Sequence, residues 1–123
     1  MTKYLPAFVL IAFAVLAAGC NRAPVTPAAL VLPATAMISQ PCTLTCVTTD
    51  PSGKDLAYRF DWDDGDTSGW TAFLASGVAC TVIHAWDRNG TYAVRGQAKN
   101  TDERLSGWFA PDTIRVDSVC GLR

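Results

Sequence analysis

Apolar and polar positions alternate along most of the chain beyond residue 40, and the alternation has a period of two. In GTYAVRGQAKN, Tyr92, Val94, Gly96 and Ala98 interleave with Ala93, Arg95, Gln97 and Lys99, the signature of a half-buried strand. LAYRFDW sets Tyr58, Phe60 and Trp62 on one face and Arg59 and Asp61 on the other, then runs into the turn formers DDGDTSG. CTLTCVTT, GVACTVIHAW and DTIRVDS read as three more strands. LVLPATA and GWTAFLA are candidates for edge strands, because Pro33 bars the first from the middle of a sheet. Short segments, even spacing and no sustained 3.6-residue period predict an all-β sandwich or barrel of seven strands.

The opening residues follow another pattern. Lys3 precedes the apolar run LPAFVLIAFAVLAAG, which ends at Cys20. A run of about 15 residues falls short of the roughly 20 that span a bilayer, and has the layout of a secretory signal. Ala17-Ala18-Gly19-Cys20 resembles the lipobox of bacterial lipoproteins, with Leu16 one place ahead of the position where leucine is commonest. That resemblance implies a cleaved signal helix over residues 1–19 and an acylated Cys20 as the mature N-terminus. Several acyl chains at one residue make such attachment stable, since one alone holds only marginally. Residues 20–27, with the Pro-rich stretch NRAPVTP, read as the lipidated end and an extended tether, and residues 28–123 as a single domain. Asn21 is not the Asp that marks inner-membrane retention in Gram-negative bacteria, so the outer membrane is the expected location.

Composition narrows the function. Without its first 19 residues the 123-residue chain keeps 104, one domain's worth, and nine basic residues against eleven acidic ones, a net charge of −2. No basic run occurs, which argues against nucleic acid as a partner.

Several motifs then fall in order. YRFDWDDGD resembles the Y-x-W-D-F-G-D-G signature of the polycystic-kidney-disease (PKD) repeat and related immunoglobulin-like surface domains, with Asp63 in place of its first glycine. HAWDRNGTYAV is similar to that family's H-x-aromatic-x(3)-G-x-Y-x-V, AKNTDERLSGW to its A-x-[DN]…S-x-W ending, and CTLTCVTTDPSG to its second strand and following turn. The likeness covers roughly residues 28–118. It implies a PKD-like, seven-stranded antiparallel β-sandwich that binds or spaces at the cell envelope, contacting protein or glycan, without chemistry of its own. Asp87-x-x-Gly90-x-Tyr92 has the form of a tyrosine corner, whose buried hydroxyl bonds back to nearby backbone and pins the sandwich end.

Candidate sites are few. Asp61, Asp63, Asp64 and Asp66 cluster around Gly65, a set that could hold Ca²⁺ or supply a glycosidase-like acid/base pair in a small envelope hydrolase. The spacing is not that of an EF-hand, and a solvated turn satisfying its own backbone is the plainer reading. No catalytic residue, metal or cofactor is therefore expected. His84, the only histidine, reads as structural. Trp70, Trp86 and Trp108, with Phe73 and Phe109, are the aromatics that could face a ligand, though most aromatics in so small a domain belong to its core.

Cys42, Cys46, Cys80 and Cys120 are an even set in an exported chain, with three possible connectivities. The immunoglobulin-like topology implied by the resemblance favours Cys42 with Cys120 and Cys46 with Cys80. A bridge from Cys42 to Cys46 would have to span about 13 Å along one strand, beyond the roughly 7 Å limit.

Overall fold

The computed structural model describes residues 22–26 and 30–118. The expected signal segment, Cys20 and Cys120 lie outside the described residues. Among the described residues six strands form: β1 (Thr35–Met37), β2 (Cys42–Cys46), β3 (Leu56–Asp61), β4 (Cys80–His84), β5 (Gly90–Asn100) and β6 (Asp112–Asp117). They make a four-stranded sheet in the order β1-β6-β5-β3 and a two-stranded sheet of β2 with β4. Among the described residues there is no helix. The fold is a β-sandwich, one of the two all-β architectures the alternation allowed, and it is immunoglobulin-like as the resemblance implied.

β5 carries the larger sheet. Its second half pairs with β3, Leu56 opposite Asn100 and Phe60 opposite Gly96, and its first half pairs with β6. β6 cannot extend along the whole of β5, because Pro111 just before it has no N–H to give the ladder. Residues 105–109 take over that edge through Ser106 N to the Ala98 carbonyl and Phe109 N to the Gly96 carbonyl. The inward faces of β2, β3, β5 and β6 supply Leu44, Tyr58, Phe60, Val94, Ile114 and Val116, all at most 1% exposed.

Two edge segments depart from the expectation of seven regular antiparallel strands. LVLPATA is split at Pro33: Val31 bridges Thr45 of β2, and only past the proline does β1 join β6. That pairing is parallel, since the chain has crossed between sheets while still running in the direction of β6. GWTAFLA forms no named strand. It follows the free edge of β3 through Ser68 N to the Phe60 carbonyl, Thr71 N to the Tyr58 carbonyl and a mutual pair between Leu56 and Leu74. The spacing 60–68, 58–71, 56–74 is not a constant register, so a ladder cannot continue.

The sandwich has two distinct ends. β2 finishes and β4 starts at one of them, the near end, as the pairing of Cys46 with Cys80 requires. β3 starts and β5 finishes there too, with Leu56 opposite Asn100. Thr48 N donates to the Tyr58 hydroxyl at 3.2 Å, and Asn100 Nδ2 to Asp50 Oδ1 at 2.9 Å, joining the sheets at this end. The far end holds the acidic turn, the loop after β4 and the end of β6.

Residues 22–26, part of the tether expected over residues 20–27, are bonded to the domain. Val25 N donates to the Thr49 carbonyl, Thr48 Oγ1 donates to the Val25 carbonyl, Gly107 N donates to Thr26 Oγ1, and Asn100 Nδ2 donates to the Arg22 carbonyl. Pro24 is buried. A proline-rich stretch is stiff and extended, so it loses little entropy on lying along a ready-made edge.

Candidate functional site

The outward face of the larger sheet is built from the polar positions of β3 and β5. The register places Arg59 beside Gln97, Asp61 beside Arg95 and Ala57 beside Lys99. Arg59 donates from Nε (3.1 Å) and a terminal nitrogen (2.8 Å) to Gln97 Oε1, which fixes its guanidinium over the sheet. Trp70 arrives from the edge segment along β3, and Trp108 from the segment along β5. The Arg59 guanidinium carbon lies 4.8 Å from the centre of Trp70 and 5.2 Å from that of Trp108. Lys99 Nζ lies 4.8 Å from Trp70, and the Arg95 guanidinium 4.7 Å from Trp108. Lys99, Trp70, Arg59, Trp108 and Arg95 thus alternate cation and indole across the face. Each such contact contributes roughly 0.5–1 kcal/mol at a partly exposed site. Both tryptophans are half-buried and lie between positive charges.

The far end is organised by its carboxylates. Asp61 Oδ1 accepts from Asp63 N, and Asp64 Oδ1 from Asp66 N, two local side-chain turns. Asp63 Oδ2 reaches across to accept Ala93 N of β5 at 2.9 Å. Asp64 Oδ2 lies 2.9 Å from His84 Nε2, and Asp61 Oδ2 3.4 Å from Arg95 Nε. Asp61, Asp63 and Asp64 are therefore engaged by amides or cations. Among the described residues no group of His, Cys, Asp and Glu is arranged to hold a metal ion. Asp64, Asp87, Arg88 and Tyr92 line an open cavity of about 360 Å³ beside the turn.

His84 stacks on Trp62, ring centres 4.2 Å apart and nearly parallel, and Trp86 meets both rings edge-on. Trp86 is 1% exposed and donates Nε1–H to the Trp62 carbonyl at 3.0 Å. It leaves the set of candidate ligand contacts: position 86 follows an inward-facing β4 residue, and the cluster around it encloses the ring. Phe109 is buried for a related reason, packed over Gly96, whereas Phe73 stays at the surface. Tyr92 stacks on Trp86 and donates its hydroxyl to the Arg88 carbonyl at 2.8 Å, the corner bond anticipated from Asp87-x-x-Gly90-x-Tyr92, made at the surface and not in the buried setting expected.

Cys46 and Cys80 face each other across β2 and β4 on the inward side, both buried. They are thiols in this structure, as is Cys42, so the expected bridge is not formed in it. The hydrogen bond between the two sulfurs and their burial push the Cys46 thiol well above its ordinary range.

The sequence profile of the PKD domain matches residues 27–108. The chain belongs to the PKD domain family. A solved PKD domain of an M14-like peptidase from Thermoplasmatales archaeon SCGC AB-540-F20 is 34% identical over 79% of this chain and 98% of that one, with a TM-score of 0.72. The CARDB domain of a Pyrococcus furiosus protein, solved in complex with di-metal ions, is similar at 10% identity over 73% of this chain and 90% of its own, with a TM-score of 0.54, a likeness of fold alone. No curated protein sequence matches the chain. PKD domains are non-catalytic immunoglobulin-like modules of extracellular or envelope-exposed proteins, and often bind or space.

The family frame explains Asp63. It stands where the signature has glycine and adopts φ 63°, the left-handed region that Asp tolerates better than most residues. The bond to Ala93 N is what the carboxylate supplies there. The sequence offers Trp70 and Trp108 as candidate ligand contacts but not Arg59, Arg95 and Lys99 as their partners. The alternation did put all three on the polar faces of their strands. Only the pairing of β3 with β5 reveals that those faces form one surface.

Proposed function

We propose that this PKD domain is a lipid-anchored module of the bacterial envelope, held through an acyl-modified Cys20, that contacts protein or glycan through the Trp70–Arg59–Trp108 face. The anchor is supported by the apolar leader ending in Ala17-Ala18-Gly19-Cys20. The binding role is supported by one observation above all: two half-buried tryptophans flank an arginine whose orientation is fixed by Gln97. Ordered aromatic and arginine side chains lose little entropy on binding and are the residue types that dominate interface energetics. With Lys99, Arg59 and Arg95 beside the indoles, the face suits ligands offering acceptor oxygens. An envelope hydrolase built on Asp61–Asp66 is not favoured, because the turn spends those groups on its own backbone and on His84.

The test pairs two measurements on protein purified from membranes. Intact mass should show a diacylglycerol-modified N-terminal cysteine, and Cys20→Ser should release the domain or leave its precursor unprocessed. Capture of envelope proteins and peptidoglycan should fall at least tenfold in Trp70→Ala/Trp108→Ala. Equal capture by both proteins would remove this face from the function and leave spacing in its place.

A further inference from the structure

We infer that the near end of the sandwich rests on the lipid surface, so that the domain stands upright on its base with the acidic turn pointing away. This rests on the anchor proposed above and adds an orientation to it. The first observation is the docking of residues 22–26. Arg22 is bonded through its carbonyl to Asn100 and Val25 through its backbone to Thr48 and Thr49, all at the near end. From Arg22 back to Cys20 is two residues, at most about 7 Å of fully extended chain. An acylated Cys20 sits at the bilayer interface, so the near end cannot lie further from it than a side chain or two.

The second observation is what that end exposes. Val25, Val47, Phe73, Val78 and Leu105 are each between 41% and 50% exposed. All lie in segments gathered there: Val25 beside Thr49, Val47 just past β2, Phe73 next to the Leu56–Leu74 bridge, Val78 in the turn before β4, and Leu105 across from Lys99. Apolar side chains rimmed by Lys54–Asp102 and Lys99–Glu103 suit an interface where hydrocarbon meets headgroups. The far end exposes four carboxylates, Asp63, Asp64, Asp66 and Asp87, whereas of the three at the near end, Asp55, Asp102 and Glu103, two are paired with Lys54 and Lys99, so anionic headgroups repel the far end more strongly.

The long axis follows. β5 has 11 residues, about 36 Å at 3.3 Å each, and leads away from the base. The cavity lined by Asp64, Asp87, Arg88 and Tyr92 is thereby carried to the membrane-distal pole, and the Trp70–Trp108 face looks sideways along the bilayer.

The test uses the full lipidated protein in vesicles of phosphatidylethanolamine and phosphatidylglycerol containing a headgroup nitroxide quencher. A fluorescent amino acid is placed in turn at Val78 and at Asn89, both exposed positions. Quenching at Val78 should exceed that at Asn89 at least fivefold. Equal quenching at the two sites, or quenching at neither, with Cys20 acylated by intact mass, overturns the orientation and leaves the anchor standing. An unmodified Cys20 overturns the anchor and the orientation with it.

Discussion

Asn100 Nδ2 donates to Asp50 Oδ1 at 2.9 Å, tying the last residue of β5 to the loop after β2 inside a closed polar network. Asp50 Oδ2 also accepts from Ser52 N and Lys54 N, and Asn100 Oδ1 accepts from Asp102 N and Arg104 N. Two buried side chains thus hold two loops and, through the Arg22 carbonyl, the incoming chain. Removing either leaves buried donors without acceptors.

Asp50→Ala is therefore expected to cost about 3 kcal/mol, read as a lower denaturation midpoint at unchanged m-value. Burial works to raise the Asp50 carboxyl, but the Asn100 amide and the Lys54 and Ser52 N–H groups outweigh it and hold the group below its ordinary range. A depressed folded-state pKa supplies stability that is complete above the unfolded value of roughly 4 and is lost as pH falls through the folded one. The melting gap between wild type and Asp50→Asn should be constant from pH 7 to about 4.5 and shrink below about 4. A gap that shrinks already at pH 6 would contradict this.

At Asp63 the backbone and the side chain can be separated. Asp63→Gly relaxes the left-handed φ of 63° and loses only the bond to Ala93 N. Asp63→Ala loses the bond and keeps the strain, so it should be the less stable of the two by about 1 kcal/mol. Thermal melts of the two variants side by side measure it.

Gly96 leaves no room for a larger residue. A Cβ there would stand 3.0 Å from ring atoms of both Phe109 and Phe60, two buried side chains that would have to shift by a few tenths of an ångström. Gly96→Ala should destabilise by about 1–3 kcal/mol, and Phe109→Leu in the same chain should recover part of the loss.

The cysteines make the sharpest covalent prediction. Directly opposed residues of an antiparallel ladder are about 4.5–5.5 Å apart at Cα, within the range of a disulfide, and Cys46 faces Cys80 in that position. Oxidising export should therefore join Cys46 to Cys80. Cys42 starts β2 just past the turn where Ile38 N bonds the Asp117 carbonyl, so the end of β6 lies close to the start of β2. Cys42 is the expected partner of Cys120. Unreduced peptide mapping of exported protein should recover these two pairs, and recovery of Cys42 joined to Cys80 would refute both.

Much of this architecture is legible in the sequence. Alternation identifies β3 and β5 residue by residue, because a sheet with one buried face imposes a period of two. The ordered motifs around Tyr58, His84 and Tyr92 name the fold, since turns and large core residues at fixed spacing are what a small sandwich needs. Pro33 correctly marked an edge, and the Asp61–Asp66 cluster a turn. What the alternation cannot encode is register and contact between segments distant in sequence. Trp86 and Trp70 look alike as residues, and only packing against Trp62 and His84 encloses one while Arg59 and Lys99 flank the other. Residues 22–26 have a tether's composition, and only the amides and carbonyls left unpaired along Thr48, Thr49, Asn100 and Gly107 make them part of the domain. Local pattern is written in neighbouring side chains, whereas the Trp70–Arg59–Trp108 face and the docked N-terminal segment depend on long-range contacts that exist only once the sheets have met.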